Sequence, residues 1–394
     1  MFKYINEVTM KGRRVLMRVD FNVPLDESGR ITDDNRIRAA LPSIRFAIEA
    51  GARLILCSHL GKPKGVRSDK YSLGPAAKRL GVLLGLDVPL APDCIGPEVN
   101  KMVAGLKDGD VLLLENLRFN EGETKNDPDF AKALASLAEI YVNDAFAVSH
   151  RAHASVVGVT KFVRQCAAGF LLKKELLYFK KALDEPVRPL VAILGGAKVS
   201  SKLVALENIL PRVNKMIVGG AMANTFLLAD GYRIGSSLIE ASLVGAAKKI
   251  MEQAKERDVK FYLPVDFVIA QELKKDVVTK IVPSQEIPPG WMALDIGPAS
   301  VSLFREVIED VGTIVWNGPM GVFELDTFSR GTMAMAQAVG SSHALSIVGG
   351  GDTDAAIHRA GEGANISYMS TGGGAFLELL EGKELPGIAA LKDA

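Results

Sequence analysis

A strand-like segment that ends in polar side chains is the most informative feature of this 394-residue sequence. Residues 14–24 read Arg-Val-Leu-Met-Arg-Val-Asp-Phe-Asn-Val-Pro, so an apolar run stops at Asp20 and Asn22. In α/β enzymes ligands bind outside the carboxyl ends of the strands, where such side chains collect. One strand of this kind is more often followed by a simple Asx turn. Many other apolar runs in the chain end similarly, and this repetition favours a binding edge.

Glycine clusters follow three of these runs in the second half of the chain. They occupy residues 195–202, 349–353 and 371–375, and the first two also contain lysines or an aspartate. Glycine lets the backbone approach a phosphate, and a following helix offers free N–H groups and the positive end of its dipole. A single cluster could be only a tight turn, but three favour nucleotide phosphates. The Walker and dinucleotide-binding patterns are both absent from the sequence.

The first half of the chain carries basic side chains at the corresponding positions. Five of these side chains each follow a predicted strand or open a predicted helix: Arg36, His59, Arg118, Arg151 and His153. Taken singly, each arginine is more often a surface charge than a ligand. Together with the two histidines, the arginines form a set suited to a doubly charged phosphate or to a carboxylate.

Alternating strand and helix patterns must position these residues, and they predict mostly parallel sheets covered on both faces. A charged helical segment at 171–183, stopped by Pro186, predicts an interdomain helix. Predicted strands lie at 15–19, 54–57, 111–114, 140–142, 190–194, 216–218, 261–263, 314–316, 345–348 and 367–369, and predicted helices at 33–50, 127–138, 202–209, 241–257, 299–308 and 355–360.

Composition narrows the class of protein. The chain is too long for one hydrophobic core, which predicts two domains. A net charge of +1 does not suggest a nucleic-acid partner. No apolar run is long enough to span a membrane, the first residues do not read as a signal peptide, and the three cysteines stand far apart. We therefore expect a cytoplasmic enzyme with neither a membrane nor a nucleic-acid partner.

Seven segments together resemble the phosphoglycerate kinase family, in order and over essentially the whole chain. They are residues 14–24, 59–63, 115–119, 143–155, 195–202, 314–324 and 349–353. The resemblance implies two Rossmann-like α/β domains, each a mostly parallel sheet with helices on both faces, joined by an interdomain helix. It also implies reversible phosphoryl transfer between 1,3-bisphosphoglycerate and ADP, giving 3-phosphoglycerate and ATP, with Mg²⁺, by a monomer whose domains close around the ligands.

Domain and residue assignments follow from the same resemblance. Residues 1–170, with 382–394 packing back onto them, would bind 3-phosphoglycerate; 171–185 would form the interdomain helix, and 186–381 would bind the nucleotide. The implied glycerate and 3-phosphate ligands are Asp20, Phe21, Asn22, Arg36, His59, Leu60, Gly61, Lys62, Arg118 and Arg151. The implied nucleotide ligands are Gly196, Lys198, Lys202, Gly219, Gly220, Ala293, Leu294, Asn317, Pro319, Val322, Glu324, Gly350, Gly351, Asp352 and Thr353. Arg36, Lys198, Gly373 and Gly374 would act on the moving phosphoryl group, and Asp352 would bind Mg²⁺.

The chemistry is consistent with these residue types, because an ionised carboxylate needs alignment and neutralised charge rather than a protein nucleophile or general base. Two positions depart from the family pattern. Lys62 stands where arginine is common and loses the bidentate fork, and Ala293 stands where glycine is frequent. Two alternatives remain, a catalytically silent nucleotide-binding protein on the same fold and a kinase for another carboxylate.

Overall fold

The computed structural model describes residues 2–393, which divide into two compact units. The first unit comprises the described residues up to Leu176 together with those from Glu384 onward, and the second comprises Leu177–Lys383. The division falls within one helix, Phe170–Leu183. In the first unit, the C-terminal segment returns to the body of the fold, where Gly387 N donates to Ser149 O at 2.8 Å.

The first unit is built from strands and helices in alternation. Its strands are β1 Lys3–Tyr4, β2 Arg14–Arg18, β3 Arg53–Cys57, β4 Val111–Leu113, β5 Ile140–Asn143 and β6 Gln165–Ala168. Its helices are α1 Asn35–Glu49, α2 Gly74–Leu84, α3 Pro97–Ala104, α4 Glu121–Lys125 and α5 Pro128–Ser136, followed by α6 Phe170–Leu183, which runs into the second unit.

The six strands form one parallel sheet in the order β1-β6-β5-β2-β3-β4. Strand β2 is central, with Met17 paired to Leu56 on one side and to Val142 on the other. These strands are almost continuously apolar because a parallel sheet is covered on both faces. All six carboxyl ends meet at one edge, so the polar residues after β2, β3, β4 and β5 are neighbours.

The second unit repeats this plan. Its strands are β7 Leu190–Leu194, β8 Lys215–Val218, β9 Lys260–Tyr262, β10 Asp266–Ala270, β11 Thr279–Pro283, β12 Met292–Ile296, β13 Thr313–Asn317, β14 Leu345–Gly349 and β15 Tyr368–Met369. Its helices are α7 Leu203–Ile209, α8 Met222–Ala229, α9 Val244–Glu256, α10 Pro298–Glu309, α11 Arg330–Gly340, α12 Gly351–Arg359 and α13 Gly373–Leu380. The C-terminal helix α14, Pro386–Lys392, belongs to the first unit.

Its main sheet is again parallel, in the order β15-β14-β13-β7-β8-β9. The predicted fold class, two mostly parallel α/β domains, is therefore confirmed. A small antiparallel sheet, β11-β10-β12, was not predicted from the sequence. Strand β11 is exposed along most of its length, so it lacks the apolar alternation by which a half-buried strand is recognised.

The helix prediction at 355–360 was correct in type but began too late. Helix α12 starts at Gly351, shortly after the end of β14, and its N-cap is Gly350 with φ of 103°. The first turn of α12 begins with glycine, a poor helix former, and contains no apolar side chain. The helical periodicity of apolar residues therefore cannot be seen there in the sequence. As a result, Asp352 lies inside the first helical turn and is not the N-cap residue of α12.

Two compositional expectations can be compared with the structure. Among residues 2–393, no helix combines the length and apolar character needed to cross a bilayer. The three cysteines, which stand far apart in the sequence, are free thiols buried in the fold, and burial raises the pKa of Cys57 to about 12.

Candidate active site

Asp20 and Arg36 meet at the carboxyl edge of the first sheet. Asp20 leaves the end of β2 with 5% of its surface exposed, and its Oδ2 lies 2.6 Å from Arg36 Nη1. Arg36 stands in the first turn of α1 and keeps 38% of its side chain exposed. A buried carboxylate thus holds one side of the guanidinium, while the remaining donors face solvent and can reach a ligand.

His59 is held by Arg18, a fully buried residue at the last position of β2. Arg18 Nη2 lies 3.1 Å from His59 Nδ1. A guanidinium can only donate, so Nδ1 must accept and the ring proton is on Nε2. Burial, followed by the charges of Arg18 and Arg118, holds the pKa of His59 well below its usual range. The ring is therefore neutral, and Asp20 Oδ1, 3.9 Å from Nδ1, forms no ion pair with it.

Lys62, Arg118 and Arg151 line one cavity of about 430 Å³. Arg118 Nη1 donates to Gly61 O at 2.7 Å, whereas its buried Nε has no hydrogen-bond partner within residues 2–393. Burial, followed by the charges of Arg18 and Arg151, lowers the pKa of Arg118 to about 10, so it stays cationic at neutral pH. Lys64 and Lys125 also line the cavity, with Glu121 as its one carboxylate among the lining residues, so positive charge is in excess there. This excess and the buried unpaired donor suit an anion.

The other implied ligands of this unit contribute in different ways. Asn22 Oδ1 accepts from Gly61 N at 2.8 Å, which joins the loop after β2 to the loop after β3. Phe21 and Leu60 have their side chains in the core, at 0% and 5% exposure. These two residues can offer a ligand little beyond their backbone.

The glycine turns of the second unit come together at the edge of its parallel sheet. Gly196 N donates to Pro319 O at 2.9 Å, and Gly220 N donates to Met320 O at 3.1 Å. A Cβ added to Gly220, where φ is 66°, would stand 2.5 Å from Gly196 N. Only glycine fits there, because an L side chain would face both an unfavourable φ and a backbone clash.

The two lysines of residues 195–202 have different surroundings. Lys202 Nζ donates to Gly195 O at 2.5 Å and to Asn317 O at 2.9 Å, and burial lowers its pKa to about 8. The negative charge of Asp352 opposes this lowering of the pKa of Lys202. Lys198 is exposed, and its ammonium has no hydrogen-bond partner in the described part of the chain. Lys202 is thus held by two backbone carbonyls, whereas the ammonium of Lys198 is exposed.

Helices α12 and α13 begin next to each other. A Cβ on Gly373, the first residue of α13, would lie 2.9 Å from Gly350 Cα. Thr353 Oγ1 accepts from Gly318 N at 2.7 Å, and Asn317 Nδ2 donates to Gly349 O at 2.7 Å. Two helix N-termini therefore point their free N–H groups into the region where the glycine turns meet, a strong environment for phosphate.

The implied adenine and ribose residues are only partly brought together. Val322 N donates to Leu294 O at 2.9 Å, so these two residues are adjacent. Ala293 is buried at 5% exposure, and Gly219 packs closely against Met320. Glu324 is exposed, and its carboxylate makes no hydrogen bond or ion pair with any residue in the range 2–393.

A buried polar group behind the basic cavity was missed as a site feature. It consists of Arg18, Glu123 and Ser155, all at 0% exposure. Only Arg18 left a signal in the sequence, as a cation at the end of an apolar strand. Glu123 and Ser155 lie in segments without hydrophobic periodicity, and their pairing across 32 residues depends on the tertiary fold.

The chain has two parallel α/β sheets. One has a cation-lined cavity at its edge, and the other has converging glycine turns and helix N-termini. This combination is typical of two-unit α/β phosphotransferases. The family model described as phosphoglycerate kinase matches residues 5–383. A phosphoglycerate kinase of Geobacter metallireducens is 63% identical, over 99% of this chain and 98% of its own length. The solved phosphoglycerate kinase of Coxiella burnetii matches with a TM-score of 0.91 at 44% identity, over 100% and 99% of the two chains. That of Pyrococcus horikoshii matches with a TM-score of 0.85 at 33% identity, over 100% and 98%. The chain belongs to the phosphoglycerate kinase family.

Proposed function

We propose that this chain is a glycolytic kinase that transfers a phosphoryl group between 1,3-bisphosphoglycerate and ADP, giving 3-phosphoglycerate and ATP. Family membership supports the reaction. The observation that carries the residue assignment is the occurrence of an anion cavity on one parallel sheet and of nucleotide-type glycine turns on the other. The test is ADP formation from ATP, Mg²⁺ and 3-phosphoglycerate in a coupled assay. Nucleotide binding without turnover would instead support the silent protein.

The first unit is proposed to bind the glycerate ligand. Arg118, Arg151 and Lys62 would hold the 3-phosphate, since they converge on one cavity. His59 would donate from Nε2, and Asp20, Asn22 and Arg36 would meet the hydroxyl and carboxyl end. This distal phosphate site argues against a kinase for another carboxylate, because a substrate without a second anionic group would leave the cavity empty.

Replacing Arg118 by Ala is expected to raise KM for 3-phosphoglycerate roughly tenfold to a hundredfold, the usual cost of losing a hydrogen bond to a charged group. The KM for ATP should stay unchanged, because the nucleotide is assigned to the other unit. Steady-state kinetics with each substrate varied in turn measures both values. Arg45→Ala is the matched control, since Arg45 also donates to a backbone carbonyl of the first unit, Leu83 O at 3.0 Å, outside the cavity. An equal rise in both KM values would contradict the assignment.

The second unit is proposed to bind the nucleotide with Mg²⁺. Gly196, Gly350, Gly351 and the N-termini of α12 and α13 would receive the phosphates, with Lys198 and Lys202 as cations. Leu294, Val322, Ala293 and the glycine pair 219–220 would flank the adenine, and Glu324 would accept from the ribose. Magnesium fits one exposed carboxylate, because this ion is commonly bound by one or two carboxylates plus substrate phosphates. Asp352 supplies such a group, with no side-chain partner among residues 2–393.

Replacing Asp352 by Asn is expected to raise the Mg²⁺ concentration needed for half-maximal rate by roughly tenfold or more, because a hard cation prefers a charged oxygen. A Mg²⁺ titration at saturating ATP measures the effect. Asp354→Asn is the control, as Asp354 stands in the same helical turn and faces His358 at 3.6 Å. If both variants respond equally, Asp352 acts on the helix dipole and not on the metal.

The reaction itself requires charge neutralisation and alignment. The 3-phosphoglycerate carboxylate attacks the γ-phosphorus in line while the bond to the β–γ bridging oxygen breaks, and ADP leaves. Arg36 and Lys198 would neutralise charge on the moving group, and the N–H groups at Gly373 and Gly374 would add donors. When bound, Mg²⁺ supplies further positive charge to the phosphates.

Closure of the two domains is proposed because each substrate is assigned to its own unit, and in-line transfer needs donor and acceptor in near contact with little water. We expect the radius of gyration to fall fully only when both substrates are bound. Solution X-ray scattering on the free, singly bound and ternary states measures it, and an unchanged value in all three would contradict closure. We also propose that the enzyme is monomeric and cytoplasmic.

A further inference from the structure

Glu123 is a fully buried carboxylate behind the basic cavity of the first unit. Its Oε1 accepts from Ser155 Oγ at 2.7 Å, and its Oε2 accepts from Ser155 N at 2.9 Å. Oε1 also lies 3.6 Å from His153 Nδ1. Burial opposes its ionisation, but His153, Arg18 and Ser155 together hold the pKa of Glu123 below its usual value. It is therefore an anion at neutral pH.

Ser155 passes this orientation on to Arg18. A serine hydroxyl has one proton, and Ser155 Oγ uses it toward Glu123. Its lone pairs then face Arg18, whose Nε donates to Oγ at 3.1 Å. A second guanidinium nitrogen of Arg18 donates to Val19 O, and the third, Nη2, meets His59 Nδ1 at 3.1 Å. Both edges of this buried guanidinium are thus occupied, and its plane is fixed.

We propose that Glu123 is a positioning residue that acts through Ser155 and Arg18 to fix the ring orientation and the tautomer of His59. With Nδ1 occupied by a donor, the ring proton is confined to Nε2, which has no hydrogen-bond partner among residues 2–393. Nε2–H is then the group presented to an anion. The relay comprises Glu123, Ser155, Arg18 and His59, and it runs from the core to the substrate side of the sheet. This inference rests on the proposed binding of 3-phosphoglycerate by His59.

The relay matters because, without it, His59 could adopt the tautomer that binds an anion poorly. In the alternative tautomer Nε2 carries a lone pair, which repels a phosphate or carboxylate oxygen. Confinement to one tautomer removes that competing state before the ligand arrives. Glu123 also compensates the buried charge of Arg18, which without a nearby anion would be costly to keep in the core.

The hydroxyl of Ser155 can be removed separately from the support of its backbone. Tyr141 OH donates to Ser155 O at 2.6 Å, a contact that holds the same residue but plays no part in the relay. Ser155→Ala therefore breaks the relay, and Tyr141→Phe is a matched control that removes one buried hydrogen bond at the same residue. Glu123→Gln keeps similar size and removes the charge.

In kinetic assays, Ser155→Ala is expected to lower kcat/KM for 3-phosphoglycerate about tenfold, chiefly through KM, and to leave KM for ATP unchanged. Glu123→Gln should act in the same direction. Tyr141→Phe should retain the kinetics of the unmodified enzyme even if its thermal unfolding midpoint falls. Equal kinetic losses in Ser155→Ala and Tyr141→Phe would show a general structural effect and overturn the proposal.

The decisive readout is the tautomer of His59, measured by the ¹⁵N chemical shifts of its ring in the full-length enzyme without substrate. His59 is one of five histidines, and its signals are assigned by loss in His59→Gln. We expect only the Nε2–H form in the unmodified enzyme and a mixture of tautomers in Ser155→Ala. An unchanged single tautomer in Ser155→Ala would overturn the proposal. The measurement needs no turnover, so it tests the relay separately from the proposed function. If the tautomer responds as expected but the protein has no kinase activity, only the proposed function is refuted.

Discussion

Replacing Arg36 by Ala is expected to lower kcat by roughly a hundredfold to a thousandfold, the usual loss when one preorganised donor to a transition state is removed. The free enzyme already holds Arg36 through Asp20 Oδ2 at 2.6 Å, so the guanidinium does not have to be oriented during the reaction. Its contribution should appear mainly when the phosphoryl group is between donor and acceptor, and KM for either substrate should change much less.

Arg38→Ala is the matched control for this prediction. Arg38 lies two residues further along the same helix, is exposed, and pairs with Asp34 Oδ1 at 2.8 Å rather than with Asp20. Its loss removes the same charge from the same helix without emptying the site, so kcat should remain normal. Arg36→Lys should fall between the two, because it keeps a cation but loses the planar fork. A collapse of substrate affinity with normal turnover in Arg36→Ala would contradict the proposed role.

The second large effect is expected for Lys198. Lys198→Ala should lower kcat by roughly a hundredfold or more, with a small change in KM for ATP. Its ammonium is exposed and has no hydrogen-bond partner among residues 2–393. It could therefore follow the phosphoryl group as it moves, and such an interaction would be strongest in the transition state. Pre-steady-state measurement of the first turnover with radiolabelled ATP isolates the chemical step from product release.

Lys202 provides the contrast within the same segment. Because its ammonium is fixed between Gly195 O and Asn317 O, it should contribute similarly to bound ATP and to the transition state. Lys202→Met, which keeps the apolar stem, should therefore raise KM for ATP more than it lowers kcat. If Lys198→Ala weakens ATP binding and Lys202→Met stops chemistry, the two roles are the reverse of those proposed.

The fold and the general character of the site could be predicted from the sequence because their signals are local. Continuous apolar runs such as 15–19 and 190–194 predict buried parallel strands, and they lie within a residue of the observed β2 and β7. Glycines after strands predict that backbone segments approach each other closely. Gly220 and Gly196 do so, since a Cβ at Gly220 would clash with Gly196 N. The family resemblance extended these local signals over the whole chain, and family membership agrees with it.

Other features depended on tertiary contacts with no local signal. Strands β10 and β12 are neighbours in the sheet but not in the sequence, so no hairpin pattern indicates their pairing. Strand β11 is largely exposed, and the antiparallel sheet was therefore not predicted. The start of α12 was placed too late because the first helical turn contains no apolar side chain. The sequence shows an acidic side chain at position 352, but not that its charge opposes the lowering of the pKa of Lys202.

The sequence by itself determined which residue types stand at the strand ends, and with them the chemistry available: cations in the first half, glycines and lysines in the second. Only the tertiary structure decided the state of those groups. Arg18 and His59 are 41 residues apart, yet their contact decides which ring nitrogen of His59 carries the proton. Likewise, two backbone carbonyls and burial distinguish Lys202 from Lys198, although both are lysines four residues apart. Protonation, tautomer and freedom to move depend on desolvation and on partners distant in sequence, and these are fixed only when the chain folds.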